Sequence, residues 1–424
     1  MSCWWIVLLA GRSVLVGSLG VAAALQAQQS TAGARSNECP VHLEHGADLG
    51  IEPVAADLAD SYGLLFCKYT EVVASNGKPI RIFAQREISN DQIVHARSVL
   101  EFFLEPVPGT RFGSDKTAIA NRMADNQATL LMFRGSDGEF EIERVRGVRG
   151  QPLYENETVP TGSPWYLEND YEDHRDASFE EILHLVHDTG IGIDFDGAPT
   201  GSAPEFQKQI RAAQIDALDD AGLWAQGERT ADWIAELRDE GSLTQEYLAS
   251  VVDSYYGLWG AFTEREGGMW GIYAAKTRED IAERDPLGYE LMTLFLNPYL
   301  SYEARIPEAF TGSFVTVFDS RLPYTHKSQY LLNVTLTGAR DSGIVGNDRD
   351  NRMRGNGGAN LLDGGDGMDT VTMSGARSEY VAQLVEDGVL LTDTASERDG
   401  ADTLRRVEWV EFTDGVVAIA ELRK

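Results

Sequence analysis

Basic residues, cysteines and long apolar runs are all in short supply in this chain. Lys and Arg total 36 against 67 Asp and Glu, a formal charge of −31 over 424 residues. Such a balance repels nucleic acid and anionic lipid and argues against a DNA-binding role. A solvated acidic surface accounts for the excess as readily as cation binding does. Of three cysteines, Cys3 lies in the N-terminal apolar segment, so Cys39 and Cys67 are the only pair for an oxidising compartment and are expected to be bonded. Closing that loop is worth roughly 3–4 kcal/mol on the chain-entropy model. Past Leu25 no stretch is apolar and long enough to span a bilayer. The chain has no Gly-x-Ser-x-Gly elbow, phosphate loop or catalytic cysteine arrangement.

The N-terminus reads as an export signal. After Arg12, the run Ser13 to Leu25 is apolar and ends in small residues, with a cleavage point after Ala27. Residues 1–27 are therefore expected to be a signal peptide and the mature protein to be secreted. The alternative is a membrane anchor from Trp4 to Leu25, interrupted by Arg12. Residues 28–70 are expected to be a flexible polar leader carrying Cys39 and Cys67. His42 and His45 within it are weak metal-ligand candidates.

Patterning divides the remainder. Val72–Ala74 and Ile80–Phe83 flank Asn76-Gly77 as two strands and a turn. Ser89 and Gln92 form a capping box, followed by Ile93, Ala96, Val99, Leu100, Phe103 and Leu104 at helical spacing up to Pro106. A short helix over Thr117–Asp125 and a buried strand over Ala128–Phe133 follow. From Ser178 helices dominate: Phe179–Asp188, the stripe Phe206, Ile210, Ile215 and Leu218, then Tyr247–Trp259 and Tyr289–Leu296. Helical spacing ends near residues 325–335, where Gly, Asn and Asp accumulate. Strands are expected at Tyr380–Val385, Val389–Thr392 and Val407–Phe412.

Three nine-residue units lie end to end: Gly346–Arg354, Gly355–Asp363 and Gly364–Thr372. The third fits G-G-x-G-x-D-x-U-x at every fixed position. Six residues make a turn, with glycine permitting its sharpness, and three make a short strand with one inward apolar residue. A hard cation takes six to eight oxygens, more than one turn provides, so stacked turns share it. The region from about residue 335 to 424 resembles the RTX (hemolysin-type) calcium-binding repeat proteins. Their turns alternate sides, which implies a calcium ion on Asn351 and Asp369 with Gly364 and Asp366 lending carbonyls, and a second site beginning at Asn360. Arg349 replaces a glycine in the first unit, and position six is Asn in two of three units.

The second constellation lies on a helix. Ser178 to Asp188 puts Glu180, His184 and Asp188 on one stripe with His187 beside them. The motif E-E-x-x-H is one residue from the H-E-x-x-H of zinc peptidases, in which the glutamate activates water. With Ala221-Gly-Leu-Trp224 and Glu246 to Tyr256 following in order, residues 71–300 resemble lethal-factor-like gluzincin metallopeptidases. The resemblance implies Glu181 as general base and His184 as a zinc ligand. Glu180 then occupies the first histidine position and Ser250 the glutamate-ligand position.

The expected architecture is multidomain: an α+β, helix-rich gluzincin-like domain over residues 71–330, a short parallel β-roll over 331–372 and a small antiparallel β cap over 373–424. The main functional expectation is a secreted calcium-binding protein with a degenerate, non-peptidase domain. The alternative is an active metal-dependent peptidase with Glu180, His184 and Asp253 as ligands and Glu181 as base. Calcium, and zinc under the alternative, are the implied ions. A protein or peptide partner is left open; nucleic acid is excluded, and so is membrane association once the signal is removed.

Overall fold

The computed structural model describes residues 46–59, 62–63, 65–136, 148–195, 197–396 and 398–422. The signal segment, His42, His45 and Cys39 lie outside the described residues. Cys67 is disulfide-bonded. Among the described residues no helix is long and apolar enough to cross a membrane. The chain is α+β, with a helix-rich region and a region of two parallel-strand stacks.

The first region is built on a five-stranded sheet: β1 (Glu52–Pro53), β2 (Lys68–Val73), β3 (Pro79–Ala84), β4 (Thr129–Phe133) and β5 (Gln151–Tyr154), in that order. The first three pair antiparallel and the last three parallel. Ala74 N donates to Lys78 O at 3.0 Å across the Asn-Gly turn, and Gly77 supplies its left-handed φ of 78°. Strand β4 is buried along its whole length. Leu130 and Met132 enter the main core, while Leu131 and Phe133 join Phe66, Phe83 and Tyr154 on the other face. That two-sided burial is why the segment reads as a continuous apolar run.

Helix α1 (Asn90–Leu104) begins at the expected capping box, Gln92 N donating to Ser89 Oγ and Ser89 N to Gln92 Oε1. It buries Ile93, Ala96, Val99, Leu100 and Phe103. Helix α2 (Ser178–Val186) is shorter than its periodicity suggests, because a π-turn over His187–Ile191 takes over. Gly190 sits in this turn, where a Cβ would lie 2.7 Å from Met123 Cγ. Helix α3 (Leu243–Tyr255) packs against α2 and starts four residues earlier than its apolar pattern predicts.

In the second region parallel stacking begins at β6 (Leu300–Ile306) and β7 (Ser313–Val315), well before the expected start of the roll at residue 331. The chain then alternates between two sheets: β8 (Leu331–Leu336), β9 (Gly343–Val345), β10 (Arg352–Arg354), β11 (Leu361–Asp363) and β12 (Thr370–Thr372). Each of the last three exposes its flanking residues more than its middle one, and Met353, Leu362 and Val371 point inward. The end of the chain adds β13 (Tyr380–Val385), β14 (Gly388–Asp393), β15 (Ala401–Arg405), β16 (Trp409–Phe412) and β17 (Gly415–Ala418). Strand β15 runs parallel to β11 and β16 parallel to β12, so the expected antiparallel cap is instead mixed and prolongs both stacks. Matching inward residues at the same step, Leu362 to Leu404 and Val371 to Val410, make that continuation favourable.

Candidate metal centre

Asp176 starts α2 by accepting from Ser178 N at 3.2 Å, while Phe179, Ile182, Leu183 and Val186 bury its apolar side. Glu180 and His184, one turn apart, face α3. There they meet Glu246, and ligand atoms of these three residues all lie within 4.8 Å of one another. The three are 4%, 6% and 8% exposed, a depth at which a carboxylate or imidazole requires a partner. His184 Nε2 is buried without a hydrogen-bond partner and lies 3.7 Å from Glu246 Oε1. On its other side, His184 Nδ1 is 3.6 Å from Glu181 Oε2, which also accepts from Gln151 Nε2 at 2.6 Å.

The electrostatics are those of a crowded anionic site. Burial pulls the His184 pKa down, but Glu246, then Glu181 and Glu180, outweigh it and raise it to about 10. Burial raises Glu246 to about 7 against the pull of His184. Burial also acts to raise Glu180, but Arg175 and His184 hold it below its ordinary value. Arg175 Nη1 donates to Glu180 Oε2 at 2.5 Å. Glu157, from the turn after β5, is raised to about 7 by burial and by Glu181.

The other residues singled out in the sequence have different partners. Ser250, fully buried, accepts from Trp224 Nε1 at 3.0 Å and donates to Glu246 O at 2.8 Å. The Ala-Gly-Leu-Trp segment thus locks α3 in place. Asp253 is buried near Arg175 and Glu180, its Oδ2 accepting from Trp259 Nε1 at 3.2 Å; the carboxylate grouped with Glu180 and His184 is Glu246. His187 turns to Gln207 Oε1 at 2.6 Å, and burial lowers its pKa to about 4. Asp188 accepts from Gln245 Nε2 at 2.9 Å. Neither belongs to the Glu180–His184–Glu246 cluster. Glu246 belongs to the same helical stripe as Ser250 and Asp253, one turn earlier, and that spacing was its only sequence signal. Nothing in the sequence points to Glu157.

In the stacked turns, a Cβ on Gly346 would lie 2.0 Å from Gly364 O and one on Gly367 2.5 Å from Arg349 O. Turns one and three therefore lie directly against each other, and Gly367, with φ 123°, takes a conformation open to glycine. Asn351 Oδ1 accepts from Asn347 N at 2.8 Å, and Asn360 Oδ1 from Asn356 N at 2.8 Å. Asp369 Oδ1 accepts from Asn351 N at 2.7 Å, and Asp402 Oδ1 from Asn360 N at 3.1 Å. The second oxygens, Asp369 Oδ2 and Asp402 Oδ2, are buried and unpartnered. Burial raises these carboxyls to about 6 and about 8. Gly364 is buried beside Asp369, and Asp366 is exposed on its turn.

No family model matches the chain, and neither a curated protein nor a solved structure does. What the geometry itself establishes is a buried Glu-His-Glu cluster able to coordinate a metal ion.

Proposed function

We propose that the protein is an exported metal-dependent hydrolase of the gluzincin type, with Glu180, His184 and Glu246 as ligands and Glu181 as general base. The observation that carries this reading is the convergence of those three side chains around an unpartnered buried His184 Nε2. One imidazole nitrogen and two carboxylates form a donor set that suits zinc, as His and carboxylate sites of peptidases do. A divalent ion there would polarise a substrate carbonyl and acidify a water. Glu181, the most exposed of the four side chains at 16%, takes the general-base role in this reading from its position in the E-E-x-x-H motif. Gln151 holds its carboxylate in position. Two carboxylates make the ion a weaker Lewis acid than two histidines would, which points to slow turnover on peptide bonds.

The test is elemental analysis of the purified mature protein, with His184→Ala and Glu181→Gln alongside. Near-stoichiometric zinc that is lost in His184→Ala but kept in Glu181→Gln, with peptidase activity lost in both, supports the reading. Absence of zinc in the unmodified protein after equilibration with the ion overturns it.

A second reading concerns the stacked turns, which we infer to be RTX-type and to hold calcium. It is favoured by the two unpartnered carboxylate oxygens, of Asp369 and Asp402, each beside a glycine whose Cβ would lie within 2.6 Å of it. Asn351 and Asn360 already spend their side-chain oxygens on backbone amides, so the ligands would be the two aspartates and turn carbonyls. Calcium that raises the melting temperature of the unmodified protein but not of Asp369→Asn/Asp402→Asn supports this second reading.

A further inference from the structure

Arg175 is a partly buried cation placed against a would-be metal ligand. It donates to Glu180 and lies 5.0 Å from the ring centroid of Trp270. Trp270 itself is held at φ 53° and anchored by its Nε1 to Tyr171 O at 3.2 Å. A divalent cation and a guanidinium repel each other strongly when they share one buried carboxylate. Whatever takes Glu180 must therefore contend with Arg175.

A second seat lies close by. Asp253 is 1% exposed; its Oδ2 is taken by Trp259, but Oδ1 is buried and has no partner. A buried acceptor left unpaired is costly, and a guanidinium is well suited to satisfy it. The charge of Arg175 already acts on this carboxylate. Arg175 and Trp259 also share the wall of a cavity of about 20 Å³ with Tyr171 and His174, which leaves space beside the guanidinium for roughly one water.

We propose that Arg175 is a two-seat latch on the metal centre: it sits on Glu180 in this structure and transfers to Asp253 when a divalent cation claims Glu180. This rests on the metal-centre reading above and adds a built-in competitor that sets how tightly the ion is held. Asp253 is a positioning residue in this scheme, acting on the ion only through Arg175.

The test is zinc titration of the full mature chain against a chromophoric chelator, in a double-mutant cycle. Arg175→Met should tighten zinc by about tenfold or more, because Glu180 is freed. Asp253→Asn should weaken zinc by about tenfold in the unmodified background and leave it unchanged in the Arg175→Met background. An equal effect of Asp253→Asn in both backgrounds, or zinc no tighter in Arg175→Met, overturns the latch while leaving a His184-dependent metal site standing. Zinc binding that persists in His184→Ala overturns the metal-centre reading and the latch with it. Crystals of the unmodified chain grown with and without zinc make the test independent of how the variants fold: the guanidinium should be on Asp253 in the loaded form, and finding it still on Glu180 refutes the transfer.

Discussion

The helix-rich region and the stacked-strand region both bury carboxylates, and they compensate for them by different means. In the helical centre the compensating groups are cationic side chains: Arg175 on Glu180, and His184 between Glu246 and Glu181. In the stacked turns the compensating groups are backbone amides, Asp369 accepting from Asn351 N and Asp402 from Asn360 N, each in the turn stacked against it. Each charge-assisted pair rests on a single cationic side chain, so one substitution can dismantle it. Amide-based compensation repeats with the coil, so its cost and benefit are spread along the stack.

The sharpest way to break the comparison is His184→Ala, which should take the metal content of the helical centre from near one equivalent to near zero while leaving the stacks folded. Elemental analysis paired with circular dichroism reads both at once. Glu246→Ala should weaken zinc more than the roughly 10–100-fold typical of groups that act only by orienting a ligand. In a chelator-competition assay, an effect of Glu246→Ala no larger than that of Asp253→Asn would remove Glu246 from the ligand set.

The stacks should respond to packing instead. Leu362, fully buried and in register with Ile344 and Leu404, should cost about 2–5 kcal/mol as Leu362→Ala. Urea unfolding would measure that cost, and zinc stoichiometry should not change.

Asp402 and His184, one in each region, also contribute stability that is lost as pH rises, in different windows. A carboxyl raised in the folded state retains a proton that the unfolded chain has released, so stability falls with pH until the folded value is passed. For Asp402 that window runs from about 4 to about 8. His184 contributes stability fully present below about 6.5 and lost as pH rises through about 10. Melting temperatures in chelator from pH 4 to 10 should show the lower window flattened in Asp402→Asn and the upper one flattened in His184→Ala. The smallest effect is expected at the partly exposed Arg352–Glu411 pair: Arg352→Ala should cost less than about 1 kcal/mol, and a larger loss in the same urea assay would mean the stacks also lean on side-chain charge.

Much of this was readable in advance because it is local. The Ser89–Gln92 capping box, the Asn-Gly hairpin, the buried β4 and the inward Met353, Leu362 and Val371 each follow from neighbours within a few residues. The helix with Glu180 and His184 was equally legible. Its last turn was not, because the π-turn at His187 depends on Gly190 meeting Met123 and Ile119 from another helix. The early start of parallel pairing at β6 was hidden for a related reason. Its seven residues carry no nonapeptide spacing, and only the register with β8 reveals their role.

By itself the sequence determined the elements whose energetics are short-range: caps, turns, the amphipathic stripes and the nine-residue period, all set by backbone sterics and the alternation of apolar and polar side chains. Only the tertiary structure decided which carboxylate completes the metal cluster. Glu246, Ser250 and Asp253 share one face of α3, and nothing local ranks them. The packing of α3 on α2, with Ser250 bonded to Trp224 and Asp253 turned toward Trp259, leaves Glu246 facing His184. A ligand set is a statement about distances between helices, and those are fixed by how whole faces pack.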